Sequence, residues 1–530
     1  MFSKAKLAVP GMVLVVVALC PYLNKAYTID DPLFLLSAHQ ILNNPLLPMS
    51  YPVCWVSSEL CVNSAATLGP LGAQAMMGYV LVPVILLGGS EWIAHVIQIL
   101  LSCVAVLAMV RLALRLGFDR VQAAIAGLML AAVPPFLSMA STAMPDILAI
   151  ALGLTGIDRL LAWRDEHQPR DAVLAALTLG LAPFARPHLA LFLPLSALWL
   201  FDDFRFRRMV QKLRQQAYLW IPVLAAAGIF IAVSQLTSAP EAEASEAVIG
   251  WLKVPNNLSS YLQYLAFPIP FAAVWLGVRW RKAPAMFVLP VVLVLLHHFI
   301  VHDTNMQHEW SRAAVLYGLV ALVHMLYTYW HEGDWTYRLL GLWVLFPLAA
   351  VVYIHLPLKY MIGAMPAIVL IMVRTLWQIS TPRAIATCGV LIVACTAFSW
   401  LLLRADDDFA DYGRRAAAEL IAPHVAAGEK VWYAGQWGFY WYAHVAGAEV
   451  FIPGQSGTHA GDLLAVGYME GGNAILKYFS SRELIDSRHY PSPHGRTMGY
   501  GGALYSNLSG RAPWVWEPNA TNDYELWRIH

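Results

Sequence analysis

What most constrains this chain is a recurring pattern of apolar runs about as long as a bilayer is thick, with arginine and lysine gathered in alternate gaps between them. Runs such as Leu7 to Leu23, Ile93 to Leu112 and Ile385 to Leu403 approach or reach the roughly 20 residues that cross about 30 Å of hydrocarbon. Each is apolar all round, without the strict alternation of a membrane β-strand, so helices are the spanning structure they predict. Of the 530 residues, 59% are hydrophobic and only 13% charged, more apolar surface than a soluble core can absorb. The net charge of +1 gives no case for nucleic acid as a partner.

The basic residues set the topology. Lys4 and Lys6; Arg111, Arg115 and Arg120; Arg164 and Arg170; the cluster from Arg205 to Arg214; Arg279, Arg281 and Lys282; and Arg383 fall on one side when the segments alternate. The positive-inside rule makes that side cytoplasmic. The opposite gaps hold only Lys25, Lys253, Arg312 and Lys359. About thirteen membrane segments follow, near 8–23, 92–116, 121–138, 145–163, 172–185, 188–201, 217–237, 259–279, 284–300, 312–330, 339–354, 357–377 and 384–403, and an odd number puts the C-terminus outside. A span over Leu71 to Leu87 would carry Arg111 and Arg115 outside, so that run reads as a helix lying in the outer interface. No small-x-small cleavage site follows Leu19, so the first run reads as a retained anchor.

The expected fold is mainly α: a polytopic helical membrane domain over 1–403, with a first external loop carrying interfacial helices at 24–91, and an external soluble α/β domain over 404–530. Within the latter, Ala416 to Val425 and Phe439 to Ala446 read as helices, Lys430 to Ala434, Glu449 to Ile452 and Tyr524 to Ile529 as strands, and Arg482 to Gly502 as a loop. Four cysteines, Cys20, Cys103, Cys388 and Cys395, lie in apolar runs. Cys54 and Cys61 share the first external loop and are a disulfide candidate.

The residues that could carry chemistry lie on the outer side. Asp30 and Asp31 directly follow the first apolar run, where two adjacent carboxylates must be solvated, bind a cation or act as a base, or else cap the helix that begins at Pro32. Asp146 follows Pro145 in a short outer turn on the same side, and Asp31 and Asp146 are the candidates for a divalent metal ion, the one cofactor these carboxylates suggest. Two short segments, 172–185 and 188–201, meet at Ala185-Arg186-Pro187-His188, which places Arg186 and His188 at an apex; a cation there wants an anionic partner such as a phosphate. Lys359 and Arg312 either snorkel or join that site. His297, His298, His302 and His308 crowd the outer end of one hairpin with Asp303 and Glu309, at a spacing that matches no metal motif. The aromatic group Trp432, Trp437, Tyr440, Trp441 and Tyr442 reads as core ahead of an acceptor surface.

In their order, these motifs resemble the polytopic glycosyltransferases of the C-type fold, in particular the protein O-mannosyltransferase and lipid A aminoarabinose transferase group. Asp30-Asp31 with Phe34 is similar to the family's acidic pair after the first helix, Gly69-Pro70-Leu71 to its interfacial Pro-Leu, and Pro145-Asp146 to its later Pro-Asp turn. Arg186-Pro187-His188 resembles its break between two short helices, and Lys359-Tyr360 with Pro366 its late Arg-Tyr. The charged residue that usually precedes the Pro-Leu is missing, since Leu68-Gly69 stands there. The resemblance implies a bacterial inner-membrane enzyme that moves a sugar from a polyprenyl phosphate to an external lipid, glycan or protein hydroxyl, with inversion. Asp30 is then the base, Asp31 and Asp146 assist, and Arg186, His188, Lys359 and Tyr360 receive the donor phosphate. A lipid-linked sugar transporter or flippase, or a non-catalytic scaffold of the same fold, is the alternative.

Overall fold

The computed structural model describes residues 2–530 apart from 56–61, 64–74, 238–249, 282–283, 302–305, 500 and 518. Apolar helices dominate, with a five-stranded sheet near the C-terminal end and two short two-stranded ribbons, Pro52–Val53 with Val62–Asn63 and Met498–Gly499 with Gly502–Ala503. By length and apolar character six of the described helices can cross a membrane: Ala5–Tyr22, Glu91–Arg115, Ala217–Gln235, Trp310–His331, Leu358–Leu376 and Thr381–Ala426. A seventh is the bent pair Trp251–Ala266 and Phe271–Arg279, whose halves meet at 60°. The sequence reads 259–279 as one span; Pro268 and Pro270 occupy the break and remove the amides that would continue the helix. Of the other expected segments, three fall on apolar helices shorter than a span, Arg120–Ala132, Pro187–Leu198 and Trp335–Ala350, while 145–163 falls on the 21-residue helix Asp146–Glu166, 172–185 on the 17-residue helix Pro169–Ala185 and 284–300 on the 18-residue helix Pro284–Val301. At the basic end, buried Asp158 accepts from Arg111, Arg115 and Arg159, while Arg159 also pairs with Asp171. A carboxylate taken out of water needs such partners.

The helix Thr381–Ala416 runs unbroken through the expected boundary at 403–404, so Asp406, Asp407 and Asp408 sit on its turns and no linker separates the two parts. Beyond it, strands β1 (Val431–Ala434), β2 (Glu449–Val450), β3 (Leu463–Gly467), β4 (Arg482–Pro491) and β5 (Thr521–Ile529) form one sheet in the order β2-β1-β3-β5-β4. β1 runs parallel to β2 and β3, and β5 antiparallel to β3 and β4. The period of two sorts β1 cleanly: Val431 and Tyr433 join a core continuous with the helical part, whereas Trp432 and Ala434 face a second cluster with Leu464, Val466 and Phe479. The sequence reads 482–502 as a loop, yet its first ten residues are β4. Arg482, Glu483, Asp486 and Arg488 are charged because β4 is an edge, where charge blocks further pairing.

The sheet unit seats on the loop that follows the first apolar helix. Tyr442 Oη accepts from Tyr27 N (2.8 Å) and donates to Glu91 Oε1 (2.8 Å), and the Tyr27 ring meets Trp441 edge-on at 5.9 Å. Trp432 Nε1 donates to Asp462 Oδ2 (2.9 Å), so these aromatics are packing and docking groups. Gly438 lies where a Cβ would stand 2.3 Å from Tyr27 O. Gly438→Ala should therefore lower stability by about 1–3 kcal/mol. Thermal unfolding checks this, with Gly389→Ala, inside the helix Thr381–Ala416 and with nothing within 4 Å of the added Cβ, as the control that should lose no stability.

Glu470, after β3, is buried; Oε1 accepts from Tyr524 O–H and Oε2 has no donor among the described residues. Burial pushes its carboxyl up to about 7. The unfolded chain releases this proton near the ordinary glutamate value, while the folded protein keeps it until about pH 7, so stability falls as pH rises through that interval. Glu470→Gln should raise the unfolding temperature at pH 8 and leave it unchanged at pH 4. Equal shifts at both pH values would contradict the account.

Candidate active site between the first loop and the sheet unit

The acidic pair is divided by the backbone. Ile29 holds φ of 44°, a conformation costly for a β-branched residue, and Pro32 fixes the first turn of the helix Asp31–Asn43. Across this turn Asp31 N donates to Thr28 O (2.9 Å), and Thr28 N donates to Asp31 Oδ2 (3.0 Å). Asp31 Oδ1 accepts from Ala143 N (2.9 Å), so the side chain, 0% exposed, ties the first loop to the turn before Asp146. Burial pushes its carboxyl up to about 7, against the pull of Lys25 and the two amides. Asp30 faces the other way. Its side chain is 28% exposed, and Lys359 Nζ donates to its Oδ2 at 3.2 Å.

Arg186 ends the helix Pro169–Ala185 and is buried; Nε donates to Asp146 Oδ1 (3.0 Å) and Nη2 to Oδ2, a two-pronged pair. Its guanidinium stands 5.8 Å from the centre of the Tyr360 ring. His188 lies 5.7 Å from the same ring, with Nε2 buried and without a hydrogen-bond partner among the described residues. Tyr360 Oη is 3.4 Å from His355 Nε2, and the rings of Tyr353 and Tyr360 are 6.3 Å apart. Burial, helped by Lys359, lowers His355 to about 4, which keeps the ring neutral at pH 7. Asp30, Lys359, Tyr360, Arg186, His188 and Asp146 thus form one connected group, joined to Asp31 through the 141–146 turn.

A second layer supports it. Lys25 Nζ pairs with Asp406 Oδ2 and also donates to Ser141 O (3.1 Å). Asp406 further accepts from Tyr505 Oη (2.6 Å) and Thr497 Oγ1 (3.2 Å). Lys359 N donates to Leu504 O (3.2 Å), and Lys359 Nζ lies 5.5 Å from the Tyr505 ring centre. Asn507 pins the same loop: Oδ1 accepts from Leu356 N (2.9 Å), and Nδ2 donates to Asn257 Oδ1 (3.0 Å) and Ser260 Oγ (2.8 Å). Asn257 and Asn507, which stand in acceptor tripeptides for glycosylation, are buried joints.

The chain shows low-identity structural likenesses to two solved proteins. With the oligosaccharyltransferase of Archaeoglobus fulgidus in its apo form it shares 12% identity and a TM-score of 0.46, covering 85% of this chain and 64% of that one. With ArnT of Cupriavidus metallidurans bound to undecaprenyl phosphate the figures are 13%, 0.44, 91% and 95%. The chain spans about 64% of the length of the archaeal protein. No family model and no curated protein matches the sequence. At such identities, and with TM-scores below 0.5, the likenesses carry no argument about substrate or mechanism.

The chain's own geometry is more informative. Three ion pairs run through the group, Asp30 with Lys359, Asp146 with Arg186 and Asp406 with Lys25, while Asp31 is held by backbone amides. Both oxygens of Asp31 and of Asp146 are already engaged, and no cluster of three or more His, Cys, Asp or Glu side chains arranged for a metal occurs among the described residues. Arg312 lies apart from the group, with Nη1 3.2 Å from His297 Nδ1. His302 and Asp303 lie outside the described residues, as do the side chains of His308 and Glu309. Cys54 is disulfide-bonded, Cys61 and the Gly69-Pro70-Leu71 motif lie outside the described residues, and Cys20, Cys103, Cys388 and Cys395 are free thiols. Lys25, Asp406, Tyr505 and His355 are the members of the group that the sequence reading does not single out. The one signal for them is a lysine in a gap poor in basic residues and the acidic triplet Asp406-Asp407-Asp408.

Proposed function

We propose that the protein transfers a sugar from a polyprenyl-phosphate donor to a hydroxyl acceptor at the outer face of the inner membrane, with Asp30 as general base. The observation that carries this reading is the Asp30–Lys359 pair: a partly accessible carboxylate held by a buried ammonium at the rim of an otherwise closed charge cluster. A donor phosphate supplies a competing anion for Lys359. Binding then separates the pair, places positive charge at the departing phosphate, and frees Asp30 to accept the acceptor's proton. The acceptor oxygen attacks the anomeric carbon from the face opposite the phosphate. The bond from that carbon to the phosphate oxygen breaks with its electron pair on the phosphate, and the configuration inverts. Tyr360, with Arg186 and His188 around it, lines the phosphate side. Asp31 and Asp146 are positioning groups, since their oxygens serve Thr28, Ala143 and Arg186.

Reconstitution of the full chain in liposomes with polyprenyl-phosphate sugars tests the reading. Sugar should move to an acceptor with inverted anomeric configuration. Movement of intact donor across the bilayer without transfer would replace this reading with a flippase.

A further inference from the structure

The far end of the helical assembly holds a second charged feature that the transfer reaction does not use. A cavity of about 500 Å³ opens where four helices end, lined by Arg279, His324, Tyr329, Glu332, Tyr337 and Arg374. Arg279 closes the helix Phe271–Arg279 on the basic side of the chain, and Arg374 lies in the last turn of Met365–Leu376, the helix that leads toward Arg383 on that side. Among the described residues neither guanidinium has a carboxylate within ion-pair distance, in contrast to Arg111, Arg115, Arg159 and Arg186. Each is backed by an aromatic face instead, Arg279 at 3.6 Å from the Trp275 ring centre and Arg374 at 5.2 Å from that of Tyr337. A ring contact orients a guanidinium without neutralising it; Arg279 Nη1 also donates to Trp275 O (3.4 Å), which leaves its other N–H groups for an oxyanion. Glu332 is the one carboxylate on the wall, so the lining carries a positive excess.

We propose that this cavity is a binding site for a phosphate group presented at the cytoplasmic membrane surface, gripped by Arg279 and Arg374 together. Planar, forked donors suit the oxygens of a phosphate ester better than a single point charge does. Trp280, Tyr327 and Trp330 are exposed on the residues flanking the cavity, the level at which aromatic side chains meet lipid head groups. An anionic phospholipid is therefore the source that the setting favours, and a soluble phosphate is the other source of the same chemistry.

The test uses the full chain in detergent, with dihexanoyl phosphatidylglycerol, inorganic phosphate and dihexanoyl glycerol as probes, followed by thermal shift and native mass spectrometry. The phosphate lipid should bind saturably, the neutral diacylglycerol should not, and Arg279→Gln with Arg374→Gln should weaken binding roughly tenfold or more. Glu332→Gln, on an exposed residue, should tighten it severalfold, which guards against a result that merely reflects misfolding of the double variant. Equal affinity for inorganic phosphate and the lipid would support the phosphate site with a soluble source. Binding that is unchanged in the double variant, or absent for both phosphate probes while Glu332→Gln is folded and equally inert, would overturn the proposal.

Discussion

Asp30→Asn should lower sugar transfer by roughly 10² to 10⁴-fold, the usual contribution of a positioned base, with no loss of donor affinity, since the neutral amide competes less with the phosphate for Lys359. The amide keeps the shape of the carboxylate and can still accept from Lys359 Nζ, now 3.2 Å away, so the rim of the site should hold. What it loses is the capacity to take a proton. Asp31→Asn should behave differently. That carboxyl accepts two backbone N–H groups while fully buried, and an amide nitrogen turned toward Thr28 N or Ala143 N leaves a donor facing a donor. The expected signature is a loss of unfolding temperature with a proportional loss of folded, active protein. Measuring the rate per folded molecule separates the two aspartates. Unchanged transfer by Asp30→Asn would remove it as the base, and a fall in donor affinity alone would make it a binding group. Lys359→Met should move the donor's KM more than Asp30→Asn does, because in the proposed reaction the ammonium meets the phosphate first.

The two aspartates show how far a sequence reaches. Composition and charge spacing are averages over many residues, which is why the membrane character, the basic side and the change of composition after residue 403 are legible. Individual helix bounds are less so: the break at Pro268 and Pro270, and helices shorter than a span such as Arg120–Ala132, depend on tertiary packing that hydropathy does not record. In the site, adjacency on the chain brings Asp30 and Asp31 to one place, but only the positive φ of Ile29 and the bond to Ala143 decide which side chain is buried. The apex at Arg186 is legible because proline forces it. Its pairing with Asp146, 40 residues earlier, is not. β4 is hidden for a related reason, since an edge strand carries the same charged residues as a loop. The partners of Lys25 are hidden most completely, because Asp406 lies 381 positions away on a helix whose acidic triplet looks like the start of a soluble domain.

That distant pair should dominate the stability of the junction. Lys25 is 2% exposed and Asp406 1%, so both charges have left water, and each is tolerable only because the other is present. Asp406 also gathers Tyr505 and Thr497 from the sheet unit, while Lys25 reaches Ser141 beside the turn that Asp31 holds. Removing one member strands the other: Lys25→Met or Asp406→Leu should each cost about 3–5 kcal/mol, the range for breaking a buried pair from one side. The double variant Lys25→Met with Asp406→Leu should recover a substantial part of the loss, because no unpaired charge then remains. Chemical unfolding of the four proteins in detergent closes the cycle, and additive losses would show that the two residues act independently. The pair also bears on the reaction through Tyr505, whose hydroxyl donates to Asp406 while its ring lies 5.5 Å from Lys359 Nζ. With Asp406 gone, Tyr505 and Leu504 lose their anchor, and Leu504 O is the acceptor for Lys359 N. The folded fraction of Asp406→Leu should therefore show a raised KM for the donor, whereas Gly438→Ala, which disturbs the seating of the sheet unit at Tyr27, should leave that KM unchanged.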